Sequence, residues 1–186
     1  MAQGLDAEMV RQHYVRVGDE ELLRIIAEDG LLLTPEAKDI VMEEVRKRRL
    51  KPDVLPFVHA QLKEYSAAEI DVLCASLRRL PCTVCGQSDQ LLNMTHGTRV
   101  FSLLVITNSS RFSLIACPDC MDKAMRKANI ITALLGWWGL PWGIIRTIQA
   151  LSNNISYGKS HHAPLPNKAL KEFVNAHAGI VSLHIK

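Results

Sequence analysis

Apolar residues recur at helical spacing through the first eighty positions. Leu22, Leu23, Ile25 and Ile26 follow the acidic run Asp19-Glu20-Glu21 and end at Gly30. Carboxylates in a first turn oppose the positive end of the helix dipole and glycine ends the pattern, so a helix capped by Asp19 is predicted. Thr34-Pro35-Glu36 then sets a capping hydroxyl and a proline at the first helical position ahead of Ala37, Ile40, Val41 and Val45. This second helix ends in Arg46-Lys47-Arg48-Arg49, where cations suit the dipole. Pro52-Asp53 opens a third helix predicted over 54–65. Ser66-Ala67-Ala68-Glu69 is a capping box for a fourth, whose Ile70, Leu73, Cys74 and Leu77 share one face and which stops at Pro81. Each helix is too short to stand alone, so residues 1–80 are predicted to form one helical module with a shared core.

The pattern then changes period. Strands are predicted at 90–94, 99–107 and 111–116, with a turn at Asn108-Ser109-Ser110. Helical character returns at 121–129 and leads into 18 consecutive uncharged residues, 128–145. Gly136, Gly139, Pro141 and Gly143 interrupt that run and predict a break between two short helices, 130–138 and 142–151. A turn-rich stretch, 152–167, precedes a last short helix at 168–178. The fold class is therefore α+β. Its predicted parts are a helical module (1–80), a cysteine-framed β-hairpin ribbon (81–121), an apolar Trp/Gly/Pro helical segment (122–155) and a C-terminal tail with a short helix (156–186).

Cysteine chemistry sharpens the middle part. Cys82-x-x-Cys85-Gly86 and Cys117-Pro118-Asp119-Cys120 are two pairs separated by 31 residues. Two residues between thiols let both reach one ion from a tight turn, and two such turns supply four sulfurs in a tetrahedron. This arrangement resembles the zinc-ribbon family over about 39 residues. The resemblance implies a structural Zn²⁺ held by Cys82, Cys85, Cys117 and Cys120; an iron centre or two redox pairs are the other chemistries open to such cysteines. Four thiolates leave no position for water or substrate, so Lewis-acid hydrolysis is not predicted there. Cys74 reads as a buried small hydrophobe, His96 as a turn residue, and His161, His162 and His184 as surface residues without a ligand spacing.

Composition changes the picture in one place. Aromatic residues make up only 5% of the 186, yet all three tryptophans, Trp137, Trp138 and Trp142, fall within six positions. A straight helix over 128–145 would span about 27 Å against about 30 Å of hydrocarbon, and the break argues against a simple span. Three readings stay open: a soluble core or protein interface, an interfacial or re-entrant insertion, and a transmembrane span. Trp137, Trp138, Pro141 and Trp142 are the predicted docking residues. Lys123, Arg126, Lys127 and Arg146 form a basic flank suited to anionic lipid. The run from Gly136 to Gly143, with 147–151 after it, resembles a segment of uncharacterised bacterial proteins in which a four-cysteine ribbon precedes a Gly-Trp-rich stretch. That resemblance implies membrane association and no activity.

Charge is small overall, +3, but divided: the first 89 residues hold twelve Lys/Arg against sixteen acids, and the rest hold ten against three. The charged opening 1–20 lacks the apolar core of a secretory signal, which predicts a cytosolic chain, associated or not with the cytosolic face of a membrane. Phosphate loops, nucleophile elbows and His-Glu-x-x-His are absent from the sequence, so no catalytic residue is predicted and the chain is not read as an enzyme. The function expected is a structural-zinc interaction or scaffold protein that docks on a protein partner, a second copy or the cytosolic membrane face. The alternative is a zinc-ribbon nucleic-acid-binding regulator, for which the dense basic run 46–51 speaks, although that run also reads as a solvated helix end and Phe101 and Phe112 alone are thin for stacking on a single strand.

Overall fold

The computed structural model describes residues 7–48, 50, 54–103 and 106–185. The chain separates into two compact units, one of residues 1–73 with 174–186 and one of residues 74–173.

The first unit is helical: α1 (Ala7–Arg16), α2 (Asp19–Asp29), α3 (Pro35–Lys47), α4 (Leu55–Leu62), the start of α5 (Ala67–Leu77), the end of α8 (Lys168–Ala176), and α9 (Ala178–His184). Its core is aliphatic, with Leu22, Ile26, Val41, Val45 and Val58 fully buried. The capping expectations are seen atom by atom. Ala37 N–H donates to Thr34 Oγ1 at 3.3 Å, and Ser66 and Glu69 bond each other reciprocally, backbone N–H to side-chain oxygen, at 2.9 and 3.3 Å. Asp19 is a first-turn residue rather than the cap: Gly18 precedes the helix, and the Asp19 carboxylate instead meets Arg48 at 3.0 Å. Of the basic run, Arg48 is consumed by Glu44, Asp19 and the Tyr14 and Val17 carbonyls, and Lys47 by Glu43. Residues 49 and 51 of that run, and the predicted start of the third helix at 52–53, lie outside the described residues. Helix α1 was not predicted as a separate element; its Val10 and Tyr14, four positions apart, join the core of this unit.

The second unit is built on one antiparallel hairpin, β1 (Asn93–Leu103) and β2 (Ile106–Ala116), paired in unbroken register from Asn93↔Ala116 to Leu103↔Ile106. The predicted turn at Asn108-Ser109-Ser110 is therefore strand. Those residues sit opposite Phe101, Val100 and Arg99 on an exposed outer strand, where polar side chains face water and imitate turn composition. Residues 104 and 105 of the predicted strand 99–107 lie outside the described residues. Gly97 is required by its cross-strand partner: a Cβ there would run into the Phe112 ring.

Two longer helices pack on β1: α6 (Pro118–Leu135) and α7 (Trp142–Gly158). They cover its free edge with side chains that act as a strand would. Asn154 accepts from Thr98 N–H and donates to Thr98 C=O, both at 2.9 Å, and Thr132 Oγ1 accepts from Val100 N–H at 3.0 Å. The predicted break is present between the helices, with Gly136 and Gly143 at van der Waals limits: a Cβ on Gly143 would meet Gly136 O at 2.8 Å and Ser102 Oγ at 2.9 Å. The second helix is longer than predicted and takes in 152–158, part of the stretch read as turns.

The base of the hairpin is tied down by buried polar groups. Arg78 donates to the carbonyls of Leu92, Pro164 and Ala163, and burial lowers its pKa. Asn93 and Asn167 exchange bonds with the backbone around them, and Asn167 Oδ1 accepts from Leu170 N–H as a cap for α8.

Candidate functional site

The two cysteine pairs meet at the base of the hairpin. Cys82 and Cys85 lie on a tight turn in which Gly86 N–H donates to Cys82 O and Cys82 N–H to Gln87 O, both at 2.8 Å. Gly86 closes that turn at a φ of 74°, a region that favours glycine. The other pair straddles a helix start: Cys117 is the residue before α6, Pro118 takes the first position, and Cys120 completes the turn. Strand β2 ends at Ala116 and so delivers Cys117 beside the first turn. All four Sγ atoms lie within 4.8 Å of one another, with Cys85 Sγ and Cys117 Sγ 3.8 Å apart. Four sulfurs about 2.3 Å from a common ion at the tetrahedral angle would be about 3.8 Å apart. The four are free thiols, and they form a group that can hold a metal ion.

Electrostatics agree with that fit. Burial pushes the Cys82 thiol up, but backbone N–H groups of Cys117, Cys85 and Val84 pull it down further, to about 6. Cys117 N–H reaches Cys82 Sγ at 3.3 Å. Burial and the neighbouring sulfurs drive Cys120 the other way, to about 12. One thiolate is provided for, and a full set of four negative charges is tolerable only around a cation.

Cys74 is buried away from this group. His96 is a strand residue rather than a turn residue; its Nδ1 is 2.8 Å from Ser113 Oγ. His184 is exposed and His162 reaches Asp122 from the surface. His161 is the clear departure from expectation. It is fully buried, with Nδ1 2.6 Å from Asp122 Oδ1 and Nε2 2.8 Å from Thr95 Oγ1. A histidine in a turn-rich stretch gives no periodic sign of burial; only the fold brings its partners from α6 and β1. Thr95 is buried as well, Asp122 at the outer end is part-exposed, and this chain of bonds acts as a clasp between α6, β1 and the segment after α7.

The other end of the second unit is apolar. Hairpin and α6 both start at the cysteines and run the same way, β1 over roughly 33 Å and α6 over about 27 Å. The free ends meet, since a Cβ on Gly139 would strike Thr107 Oγ1 and lie 3.1 Å from Ser102 Cβ. Trp137, Trp138, Pro141 and Trp142 are all exposed at this corner, Trp138 to 67% and Trp142 to 64%. The Trp137 and Trp138 indole N–H groups donate back to Ala133 O and Leu134 O, which satisfies the polar edge of each ring and two carbonyls at the helix end. Phe101, Leu103 and Ile106 expose further apolar surface at the hairpin end; sequence reasoning did not join them to the tryptophans because only the register places them there.

Helix α7 is packed small side inward, whereas α6 buries Met121 and Met125 before Ala128 and Thr132 nearer the corner. Helix α7 buries Gly143, Thr147, Ala150 and Asn154 and leaves Ile144, Ile145, Ile148 and Ile155 in contact with solvent. Exposed Ile130, Leu134 and Leu135 continue the surface on α6. Lys123, Arg126, Lys127 and Arg146 are exposed, and among the described residues none of the four is ion-paired. Among the described residues no helix is long and apolar enough to cross a membrane. No family model, curated protein or solved structure matches the chain.

Proposed function

We propose that this is a non-enzymatic docking protein: a structural Zn²⁺ at Cys82, Cys85, Cys117 and Cys120 staples one end of the second unit, and the apolar corner at the other end binds a partner or the cytosolic face of a membrane. The observation that carries the reading is the packing of α6 and α7. Monomeric surfaces rarely expose a continuous apolar area beyond a few hundred Å², and here large aliphatics and indoles are turned outward on both helices, while α7 turns glycine, threonine and alanine in. Such a surface is stable in the cell when something covers it.

A closed four-thiolate sphere suits zinc, which has no redox chemistry and needs no open position in a structural site. The zinc then sets a platform: it fixes where the hairpin and α6 begin, and both carry apolar side chains to the same far end. The nucleic-acid reading loses support from the fate of the basic run, since Arg48 and Lys47 are engaged within the first unit.

Fractionation of native extract tests the proposal. The native chain, containing one zinc per chain by elemental analysis, is expected in the membrane or large-complex fraction, and Trp137→Ala/Trp138→Ala/Trp142→Ala in the monomer fraction. Both proteins in the monomer fraction would contradict the docking role, and a metal content unchanged by Cys117→Ser would contradict the zinc assignment.

A further inference from the structure

Between β2 and α7, next to the exposed isoleucines, lies a cleft of about 400 Å³. Arg111 lines it from the strand and Arg146 from the helix, together with His96, Gln149, Asn153 and Tyr157, and among the described residues no carboxylate lines it. Arg146 reaches only Ser109 Oγ, at 3.5 Å. Two arginines lining one cleft favour an anion between them, and guanidinium geometry matches a phosphate in a bidentate way.

The cleft is one part of a wider charge pattern. The second unit holds eleven Lys/Arg and four Asp/Glu. Two of the acids, Asp119 and Asp122, lie in the first turns of α6, at the cysteine end. The cations Arg99 and Arg111 on the hairpin, Arg126 on α6 and Arg146 on α7 stand behind the apolar end. Counted along their elements they lie roughly 6 to 17 Å back from it. Ile130 is about 10 Å from the corner, the depth at which amphipathic surfaces enter the headgroup boundary. Cations spread over the hairpin, α6 and α7 behind the apolar end suit an extended negatively charged surface, whereas a protein partner would need to present a matching acidic ring.

We propose that the apolar end of the second unit docks on an anionic phospholipid bilayer and that the cleft between Arg111 and Arg146 seats a lipid phosphate. This rests on the docking role above and names its occupant. Tryptophans and isoleucines enter to the acyl boundary, the arginine cleft takes a headgroup, and exposed Arg126 faces neighbouring anionic lipids.

The test is co-sedimentation of the full chain, zinc-loaded, with vesicles of phosphatidylcholine alone and with about one-third phosphatidylglycerol. Partition onto the anionic vesicles and little onto the neutral ones is expected. Arg111→Gln/Arg146→Gln should lower the partition coefficient about twentyfold or more, from about fivefold per lost cation plus the lost phosphate contacts. Arg111→Lys/Arg146→Lys keeps the charge and loses the fork, so a several-fold loss is expected; partition equal to the parent's would overturn the phosphate seat while leaving a charged docking surface. Circular dichroism and zinc content of each variant establish that it is folded. If the tryptophan triple variant loses partition and both arginine variants keep it, the docking role stands and this inference falls. Perturbation of Arg111 and Arg146 resonances by millimolar inorganic phosphate without vesicle partition would assign the cleft to a free phosphate compound and overturn the bilayer. Binding to an oligonucleotide with no vesicle partition would overturn it in favour of nucleic acid.

Discussion

Helices α3 and α7 are both amphipathic, and they are packed in opposite senses. In α3 the large side chains Ile40, Val41 and Val45 are buried and most of the charges face out, Glu44 being buried against Arg48. In α7 the buried stripe is Gly143, Thr147, Ala150 and Asn154, and Ile148 and Ile155 are 56% and 59% exposed. Burying an aliphatic side chain contributes about 1.5 to 3 kcal/mol, so α3 uses its sequence for its own stability. Helix α7 leaves that gain unrealised within the chain. The first unit is held by its aliphatic core, and the second by a smaller core around its four-cysteine group, a polar clasp and close backbone approach.

Metal removal should separate the two most sharply. Structural zinc is linked to folding free energy on the order of 10 kcal/mol, comparable with the whole stability of a domain. Chelation, or Cys85→Ser, should unfold the second unit and leave the first helical. Hydrogen exchange should therefore lose protection across β1, β2, α6 and α7 while α2, α3 and α4 keep theirs; uniform loss would mean that the units do not differ as described. Truncations of large side chains come next. Ile26→Ala in the first core should cost about 2 to 5 kcal/mol in urea unfolding, and Ile148→Ala on the outer face of α7 under about 0.5 kcal/mol, because only the first leaves a cavity. Equal costs would show that α7 is packed like α3.

The reverse substitution sharpens the contrast. Gly143→Val should cost about 1 to 3 kcal/mol, since even a Cβ meets Gly136 O at 2.8 Å. Asn154→Ala should fall in the same range, because it strips partners from Thr98 N–H and C=O on a covered strand edge. The smallest effect belongs to acid. Hydrogen bonds from Lys47 and Arg11 hold Glu43 at about 2, and Lys63 with Ser66 holds Glu69 at about 2. A depressed carboxylate adds stability that is present above its unfolded value near 4.5 and lost as pH falls towards 2. Both groups are exposed, so the thermal midpoint of the first unit should drop only slightly between pH 5 and 3. A large drop in that window would point to a buried group instead.

These contrasts were unevenly written in the sequence. Caps and cysteine pairs were legible because their chemistry is local: Thr34, Ser66 with Glu69, and the two Cys-x-x-Cys turns specify short-range geometry. The break at Gly139-Leu140-Pro141 was legible for the same reason. Register was not, since Asn108, Ser109 and Ser110 carry turn composition and yet lie in an exposed strand. His161 was misplaced at the surface because its partners, Asp122 and Thr95, lie 39 and 66 positions away. Nor does periodicity say which face of α7 is inside: spacing shows two faces, and the close approach allowed by Gly143, Thr147 and Ala150 decided for the small one.

Every tryptophan of the chain lies in the corner, so intrinsic fluorescence reads that corner alone. Titrating the zinc-loaded chain with anionic vesicles carrying brominated acyl chains tests the central claim directly. The account predicts a blue shift of the emission together with bromine quenching, both lost in Arg111→Gln/Arg146→Gln at the same lipid concentration. Emission that stays at its exposed wavelength, unquenched at saturating anionic lipid, would contradict it.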